Sequence, residues 1–167
     1  VAPGEQQPEV DHQMKTENTT SGTANGEFYR DAGKYNAGDG GSISYVLETN
    51  SEDSLSLMVR YWGNESCSRT FDIMIDGEKL ATESIEGKWN KKEFVNEVYA
   101  IPDAMIKGKK EVRVTFKAGA GNMVGGLYGV RLLRNKPKPE PPQNVVAKVK
   151  SSLELKARVY GGELQID

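Results

Sequence analysis

At 167 residues with a formal net charge of −2, the chain has room for one domain of ordinary size plus tails, and no charge excess of the kind that holds nucleic acid or anionic lipid. Its apolar residues fall in short runs, none near the roughly 18 that a membrane span needs. A lone Cys67 excludes an internal disulfide and a cysteine-built metal cage. The single His12 lies in a polar stretch, so histidine-dependent chemistry is not expected.

The chain opens at Val1 without a signal-like apolar segment and reads as an excised piece of a longer protein. Residues 1–13 are polar and rich in Pro, Gln and Glu, too poor in apolar side chains to offset the entropy of ordering them. Residues 1–10 are therefore expected as a tail or linker. A turn of glycines and carboxylates, Asp31 to Gly41, then feeds an alternating strand, Ser42 to Leu47. From here the period is two. Ile43, Tyr45 and Leu47 share one face, as do Leu55, Leu57, Val59 and Tyr61, and then Phe71, Ile73 and Ile75. Asp76-Gly77 predicts a tight turn into a strand over Lys79 to Ile85. Further strands are expected at Glu93 to Tyr99, at Glu111 to Phe116 with Val112, Val114 and Phe116 inward, and at Leu127 to Leu133. Short strands with a turn every dozen or so residues predict an all-β fold, an antiparallel β-sandwich of jelly-roll or galactose-binding type, over about residues 11–134.

Residues 135–142, with Lys136-Pro137-Lys138-Pro139-Glu140-Pro141-Pro142, read as a semi-rigid polyproline spacer. Residues 143–167 alternate Leu153, Leu155, Ala157 and Val159 with polar neighbours, and are expected to begin a further β domain that the chain cuts short.

Calcium wants six to eight oxygens, which Glu17, Asp31, Asp39 and the loop around Gly38 supply in part, so these three acids are the candidate metal ligands. The competing role for such residues is capping local backbone N–H groups. Sugars are held by flat aromatic faces and a few orienting polar groups. Tyr29, Tyr35, Asn36, Trp62, Trp89 and Asn90 are the carbohydrate-binding candidates. Trp62 instead covers an outer sheet face under a neighbouring domain if Met58, Trp62 and Met74 form one patch. Arg30-Asp31 and Arg69-Asp72 read as exposed ion pairs. Gly119-Ala120-Gly121 with Gly125-Gly126 lacks the Lys-Ser/Thr of a phosphate loop and reads as a bulge. A glycosidase needs only two carboxylates, yet no pair stands out, so no catalytic residue is assigned.

Together the residues Glu17-Asn18-Thr19, Ser21-Gly22, Phe28-Tyr29-Arg30-Asp31-Ala32, Tyr61-Trp62-Gly63, Arg69-Thr70-Phe71-Asp72-Ile73, Asp76-Gly77, Ala81-Thr82-Glu83, Ile101-Pro102 and Gly125 to Arg134 resemble the carboxy-terminal β-sandwich of family-127 glycoside hydrolases, the β-L-arabinofuranosidase-like enzymes of gut bacteria. The plan is also similar to galactose-binding-like carbohydrate modules in general. The resemblance implies a non-catalytic accessory module of a secreted, periplasmic or cell-surface bacterial enzyme, whose partner is a plant or host glycan or the adjacent catalytic domain. The catalytic Glu and Cys residues and zinc of that family lie in a helical barrel to which nothing here corresponds, and Cys67 takes no catalytic role. Relatives that hold calcium use a Glu that Glu17 matches and a late Asp that Gly129-Val130-Arg131 does not supply. The alternatives are a purely structural sandwich and, further off, a glycosidase in its own right.

Overall fold

A computed structural model describes residues 1–33 and 40–135. Residues 34–39, with the candidates Tyr35, Asn36 and Asp39, and residues 136–167, with the expected spacer and further β segment, lie outside the described residues.

The chain forms α1 (Gln6–Asp11), β1 (Lys15–Glu17), β2 (Thr19–Ala24), β3 (Glu27–Ala32), β4 (Gly41–Glu48), β5 (Leu55–Trp62), β6 (Thr70–Ile75), β7 (Glu78–Ser84), β8 (Phe94–Ala100), α2 (Asp103–Ile106), β9 (Glu111–Ala118), β10 (Val124–Leu127) and β11 (Gly129–Arg134). All pairings are antiparallel. One layer is a five-stranded sheet in the order β1-β4-β9-β6-β7; the other strands form two three-stranded sheets, β10-β3-β2 and β11-β5-β8. The chain between Val124 and Arg134 links the latter two, because β10 pairs with β3 and β11 with β5. Tyr128 stands at the seam, its N–H donating to the Arg60 carbonyl at 3.0 Å.

The period-two faces meet in one core, as an all-β sandwich requires. Ile43, Tyr45, Leu57, Val59, Tyr61, Ile73, Val114 and Phe116 are each 0 % exposed. A one-residue slip in any of these strands would turn its apolar set to water, so burial itself holds the register. The β6–β7 hairpin turns at Asp76-Gly77, with φ of +49° and +85°, the left-handed pair of a type I′ turn. The Asp76 carboxylate accepts from the Arg113 N–H at 2.8 Å and from Lys109 Nζ at 2.7 Å, fastening the turn to β9.

Three elements differ from expectation. Residues 1–10 are not a tail: they carry α1, and Glu9 is 2 % exposed. The Glu9 carboxylate accepts Arg30 Nε at 2.6 Å and Nη2 at 2.7 Å, the Gly4 N–H at 2.8 Å and the Tyr45 hydroxyl at 3.1 Å. One charged residue ringed by four donors orders a segment whose average composition is that of a linker. Second, β2 and β3 form a hairpin closed by Asn25-Gly26, with φ of +55° and +84°, a second type I′ turn that the polar, weakly alternating run Thr19–Ala24 conceals. Third, the expected strand Leu127 to Leu133 is divided at Tyr128 into β10 and β11. Among the described residues no helix is long and apolar enough to cross a membrane.

Burial works to raise the Glu9 carboxyl, but hydrogen bonds from Arg30 and Gly4 outweigh it and hold it below the ordinary glutamate value. Glu9→Gln should therefore lower stability by about 3–5 kcal/mol at neutral pH, the usual cost of leaving one member of a buried ion pair alone. A carboxyl depressed in the folded state contributes fully above its ordinary value and loses that contribution as pH falls through the folded one. Urea unfolding from pH 7 to below pH 4 should show a steeper acid loss in the native protein than in Glu9→Gln; parallel curves would contradict this role.

Candidate functional site

On β5, Leu57, Val59 and Tyr61 point into the core, which turns Met58, Arg60 and Trp62 outward. Register then places Phe94 of β8 opposite Trp62 and Asn96 opposite Arg60. The result is a row of half-buried rings: Trp62 to Phe94 at 5.2 Å and 69°, Phe94 to Tyr128 at 4.8 Å and 64°, and Tyr128 to Tyr29 at 5.8 Å and 42°. The first two contacts are edge-to-face, each worth about 0.5–1.5 kcal/mol beyond burial. The Arg60 guanidinium lies 4.5 Å from the centre of the Phe94 ring and donates through Nη2 to Glu27 Oε1 at 2.6 Å.

Glycines lie beneath these side chains. A Cβ at Gly22, the cross-strand partner of Tyr29, would stand 3.3 Å from the Tyr29 ring; one at Gly126 would stand 3.2 Å from Tyr128 Cε2; one at Gly129 would stand 3.3 Å from Arg60 Cβ. The Tyr29 ring, folded over Gly22 in the neighbouring strand, restores the packing that the glycine lacks. Burial raises the Tyr128 hydroxyl above the ordinary tyrosine value, with a hydrogen bond from the Asn25 side chain pulling the other way; at neutral pH it remains protonated. The arrangement offers apolar ring surface for C–H faces, with Arg60, Glu27, Asn25 and the Tyr128 hydroxyl beside it as orienting polar groups.

Of the sequence candidates, Tyr29 and Trp62 stand at the two ends of this row. Phe94 and Tyr128, which join them, were not singled out: β5 and β8 are separated by a hairpin of the other sheet, so the Trp62–Phe94 pairing has no local signal. Trp89 and Asn90 lie elsewhere. The Trp89 ring stacks on Tyr61 at 5.9 Å and 24°, closing the margin of the core under Lys88 Nζ, 4.8 Å above it. Asn90 has φ of +52° and its amide donates to the Gly87 carbonyl at 3.0 Å, fastening its own turn.

Two of the candidate metal ligands, Glu17 and Asp31, lie among the described residues. Glu17 is exposed on β1, opposite Ser42. Asp31 is buried, accepts the Thr20 hydroxyl, and lies 3.5 Å from Arg69 Nη1. Among the described residues no three His, Cys, Asp or Glu side chains are grouped to hold a metal ion. The two Arg-Asp pairs are also re-partnered. Arg30 binds Glu9, and Arg69 lies between Asp31 and Glu65, 2.9 Å from the latter, while Asp72 pairs with Lys79. These strands alternate, so sequence neighbours face opposite sides. Met58 and Trp62 share one outer face, but Met74 belongs to β6 in the five-stranded sheet, so the three do not form one apolar patch.

A family model described as "Family of unknown function (DUF6805)" matches residues 1–133. The chain belongs to that family. The match begins at Val1, in accord with the packing of α1 into the domain. None of the curated proteins matches the chain. Among solved structures, it is similar to a family 35 carbohydrate binding module from Clostridium thermocellum, at 16% identity over 73% of this chain and 92% of that one, with a TM-score of 0.52. A family 35 module from Paenibacillus barcinonensis matches at 13% identity, 73% and 93% coverage and a TM-score of 0.51. The exo-beta-1,3-galactanase of Phanerochaete chrysosporium, solved with beta-1,3-galactotriose, matches at 14% identity over 72% of this chain, 27% of its own and a TM-score of 0.53. The likeness is one of fold: a β-sandwich like that of the carbohydrate-binding modules.

Gly22→Ala and Gly126→Ala should each leave the domain folded, at a cost of about 1 kcal/mol, because the contacts are with the movable ends of rings. The near-ultraviolet circular dichroism of the tyrosines should change in both. Unaltered spectra would show that the rings do not depend on these glycines.

Proposed function

We propose that this chain is a non-catalytic carbohydrate-binding module that receives a glycan on the row Trp62, Phe94, Tyr128 and Tyr29. The observation that carries the reading is the row itself: four part-exposed rings in mutual contact on one outer face, two of them over glycines, with a cation and hydrogen-bonding groups alongside. Sugar rings present apolar C–H faces and polar edges, which this surface complements. Support comes from the likeness of fold to modules whose names state carbohydrate binding. The resemblance of its motifs to those of family-127 glycoside hydrolases extends the reading to an accessory role beside the catalytic domain of a secreted enzyme. The protein would then hold the polymer while its neighbour cleaves it, and no hydrolysis of an aryl arabinoside is expected from this chain alone.

Trp62→Ala and Phe94→Ala, assayed by affinity electrophoresis against a panel of soluble plant polysaccharides, should each weaken retention at least about tenfold, since stacking and the lost apolar area together exceed 1.4 kcal/mol. Thermal melts run in parallel separate loss of binding from loss of fold. Full retention in a folded Trp62→Ala, Phe94→Ala double variant would refute the site.

A further inference from the structure

The chain has six arginines among its described residues, and five of them donate to oxygen. Arg30 meets Glu9, Arg60 meets Glu27, Arg69 lies against Asp31 and Glu65, Arg113 reaches the Gln13 carbonyl and the Ser44 hydroxyl, and Arg134 meets Glu52. Arg131 is the exception: its Nε and Nη2 donate to the thioether of Met58 at 3.4 and 3.3 Å, and sulfur of this kind is a weak acceptor. The contact holds the guanidinium in place without neutralising it.

Arg131 lies opposite Met58 on the outer face of β11 and β5, and Arg60 lies opposite Gly129, two residues along the same strand pair. Diagonal neighbours of this kind are within reach of long side chains. An open groove of about 330 Å³ runs there, lined by Met58, Arg60, Asn96, Gly129 and Arg131 among others. Gly129 keeps its floor low, since a side chain there would press on Arg60. Within the groove's wall, Arg60 Nε is buried and has no hydrogen-bond partner among the described residues. Arg60 also belongs to the aromatic row through Phe94, so groove and row are continuous.

A guanidinium is a planar fork of donors that matches the oxygens of a carboxylate, sulfate or phosphate. Here one such fork is pre-positioned and has no acid partner among the described residues, in a chain whose overall charge is negative. We infer that the groove over Met58 is an anion subsite, in which Arg131, aided by Asn96, takes an oxyanion carried by the glycan. This rests on the carbohydrate-binding reading and refines it: the preferred ligand is an acidic polysaccharide, its ring on the Phe94 side and its charged group over Met58.

Three polymers of galactose-type rings separate the cases: neutral galactan, polygalacturonate with carboxylates, and carrageenan with sulfate esters. Isothermal titration at low salt should show one of the charged polymers binding roughly tenfold or more tighter than galactan, as expected for charge-assisted hydrogen bonds, with the advantage shrinking in salt. Which of the two it is identifies the source of the oxyanion. Arg131→Ala should remove the advantage and leave galactan binding unchanged; Arg131→Lys, which keeps the charge and loses the fork, should restore only part of it. The subsite is overturned if the charged polymers bind no tighter than galactan, or if Arg131→Ala weakens all three alike. Galactan binding that is lost in Phe94→Ala would then leave the wider reading standing, whereas no binding to any of the three would overturn both.

Discussion

Two tyrosines in the middle of the core, Tyr45 and Tyr61, impose the constraint from which the rest follows. Their rings are fully buried, and a hydroxyl cannot be left in an apolar interior without a partner. Burial pushes both hydroxyls far above the ordinary tyrosine range, so both keep their protons and must find acceptors. Tyr45 reaches Glu9 and so draws α1 onto the sandwich, where Arg30 balances the carboxylate. Tyr61 meets the Tyr99 hydroxyl at 3.1 Å; Tyr99 donates to Glu83 at 2.6 Å, and Lys88 closes the chain at 3.0 Å from both Glu83 oxygens. The second chain runs from β5 through β8 to β7, and thus from one sheet to the other. In both clasps the buried carboxylate is met by several donors, so the polar network is satisfied.

The aromatic row depends on the same arrangement from the other side. Because Tyr61 must point inward, Trp62 and Arg60 point outward, and the pairing of β5 with β8 and β11 brings Phe94 and the Tyr128 seam beside them. Tyr128 occupies the place where the chain leaves β3 as a partner and takes up β5. A residue at such a seam can face outward between two sheets, and Gly126 behind it gives the ring room. Core and surface are therefore coupled: the alternation that fills the interior also orders the rings on the outer face.

The core strands were legible because their signal is local. In β4, β5, β6 and β9 the apolar residues recur every second position, and each predicted inward residue is buried. The turn at Asp76-Gly77 was equally plain, for only residues tolerant of positive φ serve there. Asn25-Gly26 carries the same signal but is flanked by threonines and serine, whose polarity hides the hairpin. The folded state of residues 1–10 was hidden for a different reason: mean polarity measures whether a segment can bury surface, whereas Glu9 is buried by specific donors on β3 and β4. Trp62 was identifiable as an outward aromatic and Tyr29 as a candidate without an assigned face, but Trp89, equally prominent in the sequence, stacks on Tyr61.

By itself, then, the order of residues determined the fold class, the faces of the central strands and one outward ring, Trp62, all properties that depend on neighbours two to four positions apart. Tertiary structure decided which aromatics meet, which oxygen each of the other arginines finds, and that Arg131 finds a thioether alone among the described residues. These depend on elements distant in the chain: the pairing of β5 with β8 and β11, whose register is set by packing over the whole core, and the ion pair that joins β3 to α1.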